Sequence, residues 1–265
     1  MDLRISGRVA LITGADGGMG FAVAKLLAEE GVKLVLADKT LTEAEARRGE
    51  LPGDTLLVKA DLTASGEAER IVTEALGRFG KLDIAVHTAG ITGAKGDPLE
   101  LTDADYEEAW QSDFMSAVRV ARAAIPEMKK GGWGRFVAIT SENAVQPYWE
   151  EATYNAAKAA LAAFCKGLSY KLAADGVLVN TVAPAFIETA MTDEMMDKRA
   201  KENGTSKEEA IRSFLEEERP GIVQQRRGTV DEVAAAVALL VSDRASFING
   251  ANIRVDGGSV QAVQN

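Results

Sequence analysis

The chain has 265 residues, and apolar residues make up 46% of them, enough to build the core of one α/β domain. Its formal net charge of −10 argues against a nucleic-acid binder and against docking on an anionic membrane, because both need a basic surface. One cysteine, Cys165, and one histidine, His87, exclude an internal disulfide and a cluster of zinc ligands, so no metal is expected. The first residues lack the apolar stretch of a signal peptide, and no run approaches a membrane span, so a cytoplasmic protein is expected.

The first strong pattern is a strand, a glycine cluster and a helix in succession. Arg8 to Thr13 is a short apolar run with β-branched residues, which predicts a buried strand. Three glycines follow, Gly14, Gly18 and Gly20, before a helix predicted over residues 21–30. Glycines let the backbone approach a pyrophosphate, which then faces the free N–H groups of the helix N-terminus. This unit predicts the start of a dinucleotide site, although its Gly-x-x-x-Gly-x-Gly spacing differs from the commoner Gly-x-Gly-x-x-Gly.

Acidic side chains near the end of the next strand predict which dinucleotide binds. Asp38 closes the apolar run 32–37 and lies 18 residues after Gly20, close to the ~20-residue offset of an acid that binds a ribose 2′-hydroxyl. A carboxylate there repels a 2′-phosphate, so NAD(H) is favoured over NADP(H). Lys39 is a counter-signal because it could reach a phosphate, but Asp16 in the glycine turn adds a second negative charge.

Strands and helices alternate along most of the remaining chain. Further strands are predicted over 55–60, 82–88, 135–140, 177–182 and 251–255, and further helices over 65–79, 102–130, 151–174 and 230–241. In the 102–130 helix, Trp110, Phe114 and Val118 recur at i, i+4 and i+8, which indicates a core-facing stripe. The alternation predicts one α/β domain over residues 1–265, a Rossmann-like doubly wound parallel sheet of about seven strands flanked by helices.

Residues 186–227 interrupt this alternation. The segment is rich in Met, Glu and Lys, with Gly204 and Pro220-Gly221 as breaks, and it predicts two amphipathic helices inserted after a strand. Such insertions on the ligand side of a sheet often form a lid over the substrate, and we favour a lid here. The alternative is a solvated helical excursion with no role in binding.

Three side chains near the middle of the chain carry candidate chemistry. Ser141 follows the strand 135–140, at the end where open α/β sheets bind ligands. Tyr154 and Lys158 are four residues apart in an Ala-rich helix, so both lie on one face. A lysine ammonium lowers the pKa of a nearby phenol, which makes Tyr154 a candidate acid/base, while Ser141 can donate to a substrate oxygen. On its own, the Tyr–Lys pair could equally be an ordinary exposed i, i+4 pair.

Seven motifs in order resemble those of the short-chain dehydrogenase/reductase family, over essentially the whole chain. They are Thr13-Gly-Ala-Asp-Gly-Gly-Met-Gly20, Asp61-Leu62, His87-Thr-Ala-Gly90, Ser141, Tyr154-x-x-x-Lys158, Pro184-Ala-Phe-Ile-Glu-Thr189 and Val255-Asp-Gly-Gly258. The resemblance implies an oxidoreductase in which Tyr154 is the acid/base, Ser141 polarises the substrate oxygen, and Lys158 also binds the nicotinamide ribose. It also implies dimers or tetramers, built partly through the helices 102–130 and 151–174.

The resemblance further implies which residues hold the cofactor. The phosphates would lie on the glycine turn, the adenosine ribose on Asp38, the adenine against Asp61 and Leu62, and the nicotinamide end near the segment after the sixth strand. The implied cofactor-binding residues are Gly14, Asp16, Gly18, Met19, Gly20, Asp38, Asp61, Leu62, Ala89, Gly90, Tyr154, Lys158, Pro184, Ile187 and Thr189.

Four positions depart from the family pattern. His87 replaces an asparagine, Ala185 replaces a glycine, and Glu142 replaces the second serine of the usual pair. Asp113 falls where many members have an asparagine that anchors a proton-relay water beside the lysine. Because an aspartate is charged, we expect Asp113 to keep activity but to shift its pH profile. His87 is interpreted as a structural residue rather than a pH sensor.

The sequence leaves three functions open. The favoured one is an NAD(H)-dependent interconversion of a secondary alcohol and a ketone or aldehyde. An NADPH-dependent 3-oxoacyl-thioester reductase acting on an acyl carrier protein is disfavoured by Asp38 and by the negative charge, and a non-catalytic dinucleotide sensor or scaffold is disfavoured by the intact trio. The predicted substrate contacts, which suggest a medium-sized and partly apolar small molecule, are Ser141, Gln146, Trp149, Phe186, Met191 and Met195.

Overall fold

The computed structural model describes residues 1–263, so residues 264 and 265 of the predicted domain lie outside the described residues. Its centre is a parallel sheet of seven strands in the order β3-β2-β1-β4-β5-β6-β7. The strands are β1 (Val9–Thr13), β2 (Lys33–Asp38), β3 (Thr55–Lys59), β4 (Ile84–His87), β5 (Gly134–Ile139), β6 (Val177–Pro184) and β7 (Asn252–Val255). The predicted doubly wound α/β sheet is therefore confirmed.

Helices cover both faces of this sheet. They are α1 (Gly18–Glu29), α2 (Thr42–Ala46), α3 (Glu67–Phe79), α4 (Asp103–Ala109), α5 (Ser116–Lys130), α6 (Ala152–Leu172), α7 (Ala190–Asn203), α8 (Lys207–Glu217) and α9 (Val230–Leu240). Helices α1 and α9 pack on one face, and α3, α5 and α6 pack on the other. The short helix α2 was not predicted from the sequence.

The two faces explain the unbroken apolar runs of the strands. Ile12 and Val86 belong to the core beneath α1 and α9, whereas the adjacent Leu11 and Ala85 belong to the core beneath α3, α5 and α6. Successive side chains of a strand point to opposite faces, so a strand covered on both sides must be apolar throughout.

The strand order fixes where a ligand site forms. Strand β1 has β2 on one side and β4 on the other, so the order of successive strands reverses beside it, and this switch point opens a crevice at the carboxyl ends of the strands. The register aligns those ends, since Thr13 pairs with His87 and His87 with Ala138. The loops after β1, β4 and β5 consequently meet at one edge.

The predicted 102–130 helix is correct in extent but not in its buried face. Residues Trp110–Met115 form a π-helical segment between α4 and α5. A π turn adds a residue to the repeat, so it rotates the positions that follow. Trp110 is 38% exposed, whereas Asp113 is fully buried, and the predicted core stripe is wrong at Trp110.

The segment after β6 forms the two predicted helices, α7 and α8. Phe186, Met196, Phe214, Leu215 and Ile222 build a small apolar cluster of their own, separate from the two cores of the sheet. We call residues 186–227 the helical insertion. Of the helices over residues 1–263, none combines the length and apolar character needed to cross a bilayer.

Candidate active site

The glycine turn brings the loops after β1 and β4 into contact. Gly14 has φ +66°, and a Cβ there would lie 2.6 Å from the backbone nitrogen of Ala89, so a side chain is excluded both by conformation and by space. Helix α1 follows with Gly17 as its N-cap, and no described side chain caps its first turn. Those free N–H groups and the helix dipole suit a phosphate, so this end of the sheet fits a dinucleotide.

Two carboxylates stand beside the glycine turn. Asp38 Oδ2 accepts from the backbone N–H of Asp16 at 3.0 Å, and Asp38 Oδ1 accepts from that of Lys39 at 2.6 Å. The Asp16 carboxylate accepts from the backbone N–H of Ala44 at 2.8 Å. Burial raises the pKa of Asp38, and these backbone donors oppose the rise. Lys39, the counter-signal in the sequence, places its Nζ 3.1 Å from Asp61 Oδ2.

The remaining predicted cofactor residues line the same edge. Leu62 is buried, and its carbonyl accepts from Arg119 at 3.1 Å. Met19 packs partly buried against the core under α1. Thr189 caps α7, and a Cβ built on Gly18 would lie 3.9 Å from its methyl carbon. The loop after β6, which follows Pro184 and contains Ile187, therefore reaches the glycine turn.

Lys158 and Asp113 form a buried ion pair at the centre of the site. Lys158 Nζ lies 3.1 Å from Asp113 Oδ1, and the two side chains are 4% and 0% exposed. Lys158 also donates to the carbonyl of Ile139 at 3.2 Å, and Asp113 accepts from the N–H of Ile91 at 3.2 Å. A Cβ on Gly90 would collide with the Asp113 carboxylate, so this pair depends on a glycine in the loop after β4.

The ion pair sets the charge that Tyr154 experiences. Lys158 Nζ lies 5.4 Å from the centre of the Tyr154 ring. Burial raises the pKa of Tyr154, Lys158 lowers it, and Asp113 raises it. Burial alone would lower the pKa of Lys158, but Asp113 raises it above its ordinary value, so the ammonium persists. The predicted lowering by Lys158 is present, but burial and Asp113 outweigh it in the protein without ligand.

Ser141 begins the 3-10 turn Glu142–Ala144, two residues beyond β5. Its hydroxyl donates to Asn143 Oδ1 at 2.9 Å and accepts from the Asn143 N–H at 3.2 Å. Hydrogen bonding with Ser141 also lowers the pKa of Tyr154. Ser141, Tyr154 and Lys158 thus lie at the carboxyl ends of the strands, an arrangement that could supply an acid/base and a polarising hydroxyl.

Two predicted substrate residues lie in the loop after Ser141. Gln146 donates to the carbonyl of Ser259 at 3.1 Å, which ties the loop to the C-terminal segment. Trp149 is 67% exposed, so its indole is accessible to a ligand. Their contact with substrate stays a prediction.

The predicted substrate residues of the helical insertion divide into two kinds. Phe186 is buried and stacks at 4.8 Å on Phe214, and Met195 packs against the same cluster. Met191 is half exposed, and its sulfur lies 3.9 Å from the hydroxyl of Thr92 in the loop after β4. Met191 therefore faces the site, whereas Phe186 and Met195 shape the insertion from within.

His87 is fully buried, and both of its ring nitrogens are hydrogen-bonded. Ser116 donates its hydroxyl to the carbonyl of Ser112, so it must accept from His87 Nε2, and Thr13 then donates to Nδ1. Burial, together with the charge of Lys158, lowers the pKa of His87 to about 3. The geometry supports the structural interpretation of His87. Cys165 is likewise buried, and burial raises the pKa of its thiol to about 12.

The comparisons with known proteins identify the family of the chain. A family model described as enoyl-(acyl carrier protein) reductase matches residues 14–260. The chain is 34% identical to nodulation protein G of Rhizobium sp. (strain N33), over 96% of this chain and 97% of that protein. It is 32% identical to 3-oxoacyl-(acyl-carrier-protein) reductase FabG of Escherichia coli (strain K12), over 97% and 98%.

Solved structures extend the likeness to three dimensions. L-sorbose reductase from Gluconobacter frateurii, complexed with NADPH and L-sorbose, is 32% identical, with a TM-score of 0.93 over 99% of this chain and 100% of that one. Levodione reductase is 29% identical, with a TM-score of 0.89 over 96% and 98%. The chain belongs to the short-chain dehydrogenase/reductase family. As a member of that family it is an oxidoreductase.

The structure also brings together residues that sequence reasoning missed. Asn143, Glu151 and Lys95 form a polar cluster beside Ser141, and Arg219 from the helical insertion joins it. Asn143 and Glu151 stand within a few residues of Ser141 and Tyr154, so their proximity was a usable signal. Arg219 lies 68 residues from Glu151 along the sequence, and no local sequence pattern predicts the contact.

Proposed function

We propose that this short-chain dehydrogenase/reductase interconverts a secondary alcohol and a ketone or aldehyde, with Tyr154 as general acid/base. The observation that carries the proposal is the assembly of Ser141, Tyr154 and Lys158 at the same edge as the uncapped N-terminus of α1. A nicotinamide dinucleotide bound there would donate or accept the hydride.

The chain's own residues manage the oxygen and its proton. In reduction, the Tyr154 hydroxyl gives its proton to the carbonyl oxygen, while the Ser141 hydroxyl donates a hydrogen bond to the same oxygen as it gains negative charge. In oxidation, the Tyr154 phenolate takes the alcohol proton. Lys158 favours the phenolate, and its ion pair with Asp113 holds the ammonium in place.

We propose that NAD(H) is favoured over NADP(H). Asp38 and Asp16 present two carboxylates where a 2′-phosphate would lie, and Lys39 is engaged by Asp61. The related sorbose reductase was solved with NADPH, so the preference is open to a direct test. We expect a higher kcat/KM with NADH than with NADPH, and Asp38→Ser should move the ratio toward NADPH by at least about tenfold. An NADPH preference in the unaltered enzyme would overturn this part of the proposal.

The experiment that tests the proposed reaction is a fluorescence screen for cofactor turnover. The purified enzyme is offered NADH or NADPH with ketones, ketoses, cyclic diketones and 3-oxoacyl thioesters, and NAD or NADP with the matching alcohols. Turnover of at least one carbonyl compound is expected. Cofactor binding without turnover of any compound would favour a dinucleotide sensor.

A second candidate function is reduction of a 3-oxoacyl thioester. The likeness to FabG of Escherichia coli supports it, while the net charge of −10 opposes docking of an acidic carrier protein. The screen separates the two candidates. Preference for the carrier-bound thioester over free ketones, together with NADPH, would establish the second.

We infer that the protein forms a homo-oligomer, either a dimer or a tetramer. Trp110 beside α4 is 38% exposed and Tyr170 on α6 is 76% exposed, on the helices that the family resemblance assigns to subunit contacts. Light scattering coupled to gel filtration should give a mass of two or four chains. A mass of one chain would contradict the inference.

A further inference from the structure

One arginine of the helical insertion contacts the segment that carries Ser141. Arg219 lies two residues beyond α8, and its side chain is only 12% exposed. Its Nη2 lies 3.0 Å from Glu151 Oε1, and its Nε lies 3.7 Å from Glu142 Oε1. Its guanidinium also stacks 3.5 Å above the centre of the Tyr148 ring. A single side chain thus contacts three residues of the 142–151 segment.

Glu151 links Arg219 to Asn143, because its carboxylate contacts both. Its Oε1 is held by Arg219 and by Lys95 at 2.6 Å, and its Oε2 accepts from Asn143 Nδ2 at 2.6 Å. Although burial pushes the pKa of Glu151 up, Lys95 and Arg219 lower it below the usual range. The carboxylate stays ionised and remains a strong acceptor for the asparagine amide.

The orientation of the Asn143 amide follows from its partners. Asn143 Nδ2 donates to Glu151 and, at 2.8 Å, to Asn155 Oδ1. The Asn155 oxygen is itself fixed, because Asn155 Nδ2 donates to the Tyr148 carbonyl at 2.6 Å. Two acceptors on one side leave Asn143 Oδ1 facing Ser141. The amide cannot flip without breaking both bonds.

We propose that Arg219, Glu151 and Asn143 are positioning residues that couple the helical insertion to the Ser141 hydroxyl. The proposal rests on the proposed function, in which Ser141 polarises the substrate oxygen. Asn143 holds the Ser141 hydroxyl from both sides, as acceptor through Oδ1 and as donor through its N–H. When the insertion is in place, Arg219 holds this chain, and the Asn143 N–H holds Ser141 Oγ where the substrate oxygen arrives. The hydroxyl has one proton, which turns from Asn143 Oδ1 to the substrate oxygen when the substrate binds.

The test is a set of variants measured alone and with Ser141→Ala. Asn143→Ala and Arg219→Gln should each lower kcat about tenfold or more, because a small misplacement of a catalytic group is costly, while the dissociation constant for the cofactor stays within twofold. Arg219→Lys should recover part of the loss. In the Ser141→Ala background both substitutions should be nearly silent, since they act through the absent hydroxyl.

Arg212→Gln is the matched control. Arg212 is on helix α8, which ends two residues before Arg219. It is 65% exposed and pairs with Glu209 at 2.6 Å, so its loss should leave kcat unchanged. Melting temperatures of all variants show whether each one folds. If Asn143→Ala does not fold, Arg219→Gln and Arg219→Lys still test the proposal.

Two results would overturn the proposal. One is a kcat within twofold of the unaltered enzyme for both Asn143→Ala and Arg219→Gln. The other is an equal fold-loss in the presence and absence of the Ser141 hydroxyl, which would mean a role independent of Ser141. If the unaltered enzyme turns over no carbonyl compound, that result would contradict the proposed function instead.

Discussion

The two ends of the central strands β1, β4 and β5 both carry charged groups, but the groups differ in their surroundings. At the carboxyl ends, charged and polar groups converge on an open crevice, and Lys158 pairs with the carboxylate of Asp113. At the amino ends, Asp83 accepts from the Val9 N–H at 2.9 Å and pairs with Arg8 at 3.1 Å and with Lys81 at 2.8 Å. The same strands therefore support chemistry at one end and stability at the other.

Arginine and tryptophan complete the amino-terminal cluster. Arg8 and Arg135 stack on Trp133, at 3.7 Å and 4.2 Å from its ring. The Trp133 indole donates to Asp243 at 2.9 Å. Among residues 1–263, Arg135 Nε has no hydrogen-bond partner, so the stacking offsets only part of the cost of burying this guanidinium. The cluster joins β1, β4 and β5 to the segment after α9.

Among the changes that compare the two ends, the largest expected effect is on activity, at the carboxyl ends. Ser141→Ala should lower kcat by about 10²- to 10³-fold, because it removes a hydrogen-bond donor to the developing oxyanion. It should cost at most about 1 kcal/mol of stability. Steady-state kinetics and urea unfolding measure the two quantities, and an unchanged kcat would remove Ser141 from the mechanism.

The next effect is on stability, at the amino ends. Asp83→Ala should lower the free energy of unfolding by about 3 kcal/mol, because it leaves the Val9 N–H unsatisfied and two cations without their buried partner. Asp54→Ala is the control. Asp54 pairs with the exposed Arg78, so its loss should lower the free energy of unfolding by less than about 1 kcal/mol. Both variants should keep the kcat of the unaltered enzyme at 25 °C. A large loss of kcat in Asp83→Ala, measured under conditions where the variant is fully folded, would contradict the separation of activity and stability between the two ends.

A smaller effect concerns the pH profile. Asp113→Asn removes a negative charge that raises the pKa of Tyr154, so the phenolate should form at lower pH. Activity in the oxidation direction, which needs the phenolate, should then rise at a pH lower by on the order of one unit. Asp103→Asn, an exposed change in the first turn of α4, should leave the profile in place. A superimposable profile for Asp113→Asn would contradict the role assigned to Asp113.

The smallest effect at neutral pH concerns the only histidine, His87, and it grows only as the pH falls. Because burial holds the pKa of His87 at about 3, below its ordinary value of 6.5, the unfolded chain binds this proton first as the pH falls. His87 therefore adds stability above pH 6.5 that is lost toward pH 3 at about 1.4 kcal/mol per unit. His87→Asn should flatten the acid limb of a stability curve without moving the activity profile. Nitrogen NMR of this single imidazole should show a neutral ring at pH 5, and a charged ring there would refute the assignment.

How much was predictable from sequence depends on how local each signal is. The strands, the glycine turn and the Tyr154–Lys158 face followed from short-range patterns, because apolar periodicity and spacing decide them. The π-helical segment was missed, since one added residue changes which later positions face the core, including Asp113, without any change in composition. Arg219 and the pairing of Lys39 with Asp61 depend on contacts between distant segments, which no local pattern encodes.

The central claim is that the Tyr154 hydroxyl moves the substrate proton. The most direct measurement compares Tyr154→Phe with the unaltered enzyme, using kcat for the best carbonyl compound and the quenching of protein fluorescence by the cofactor. We expect Tyr154→Phe to lose at least about 10³-fold in kcat, while its affinity for the cofactor stays within a few-fold of that of the unaltered enzyme. Turnover of Tyr154→Phe close to that of the unaltered enzyme would contradict it.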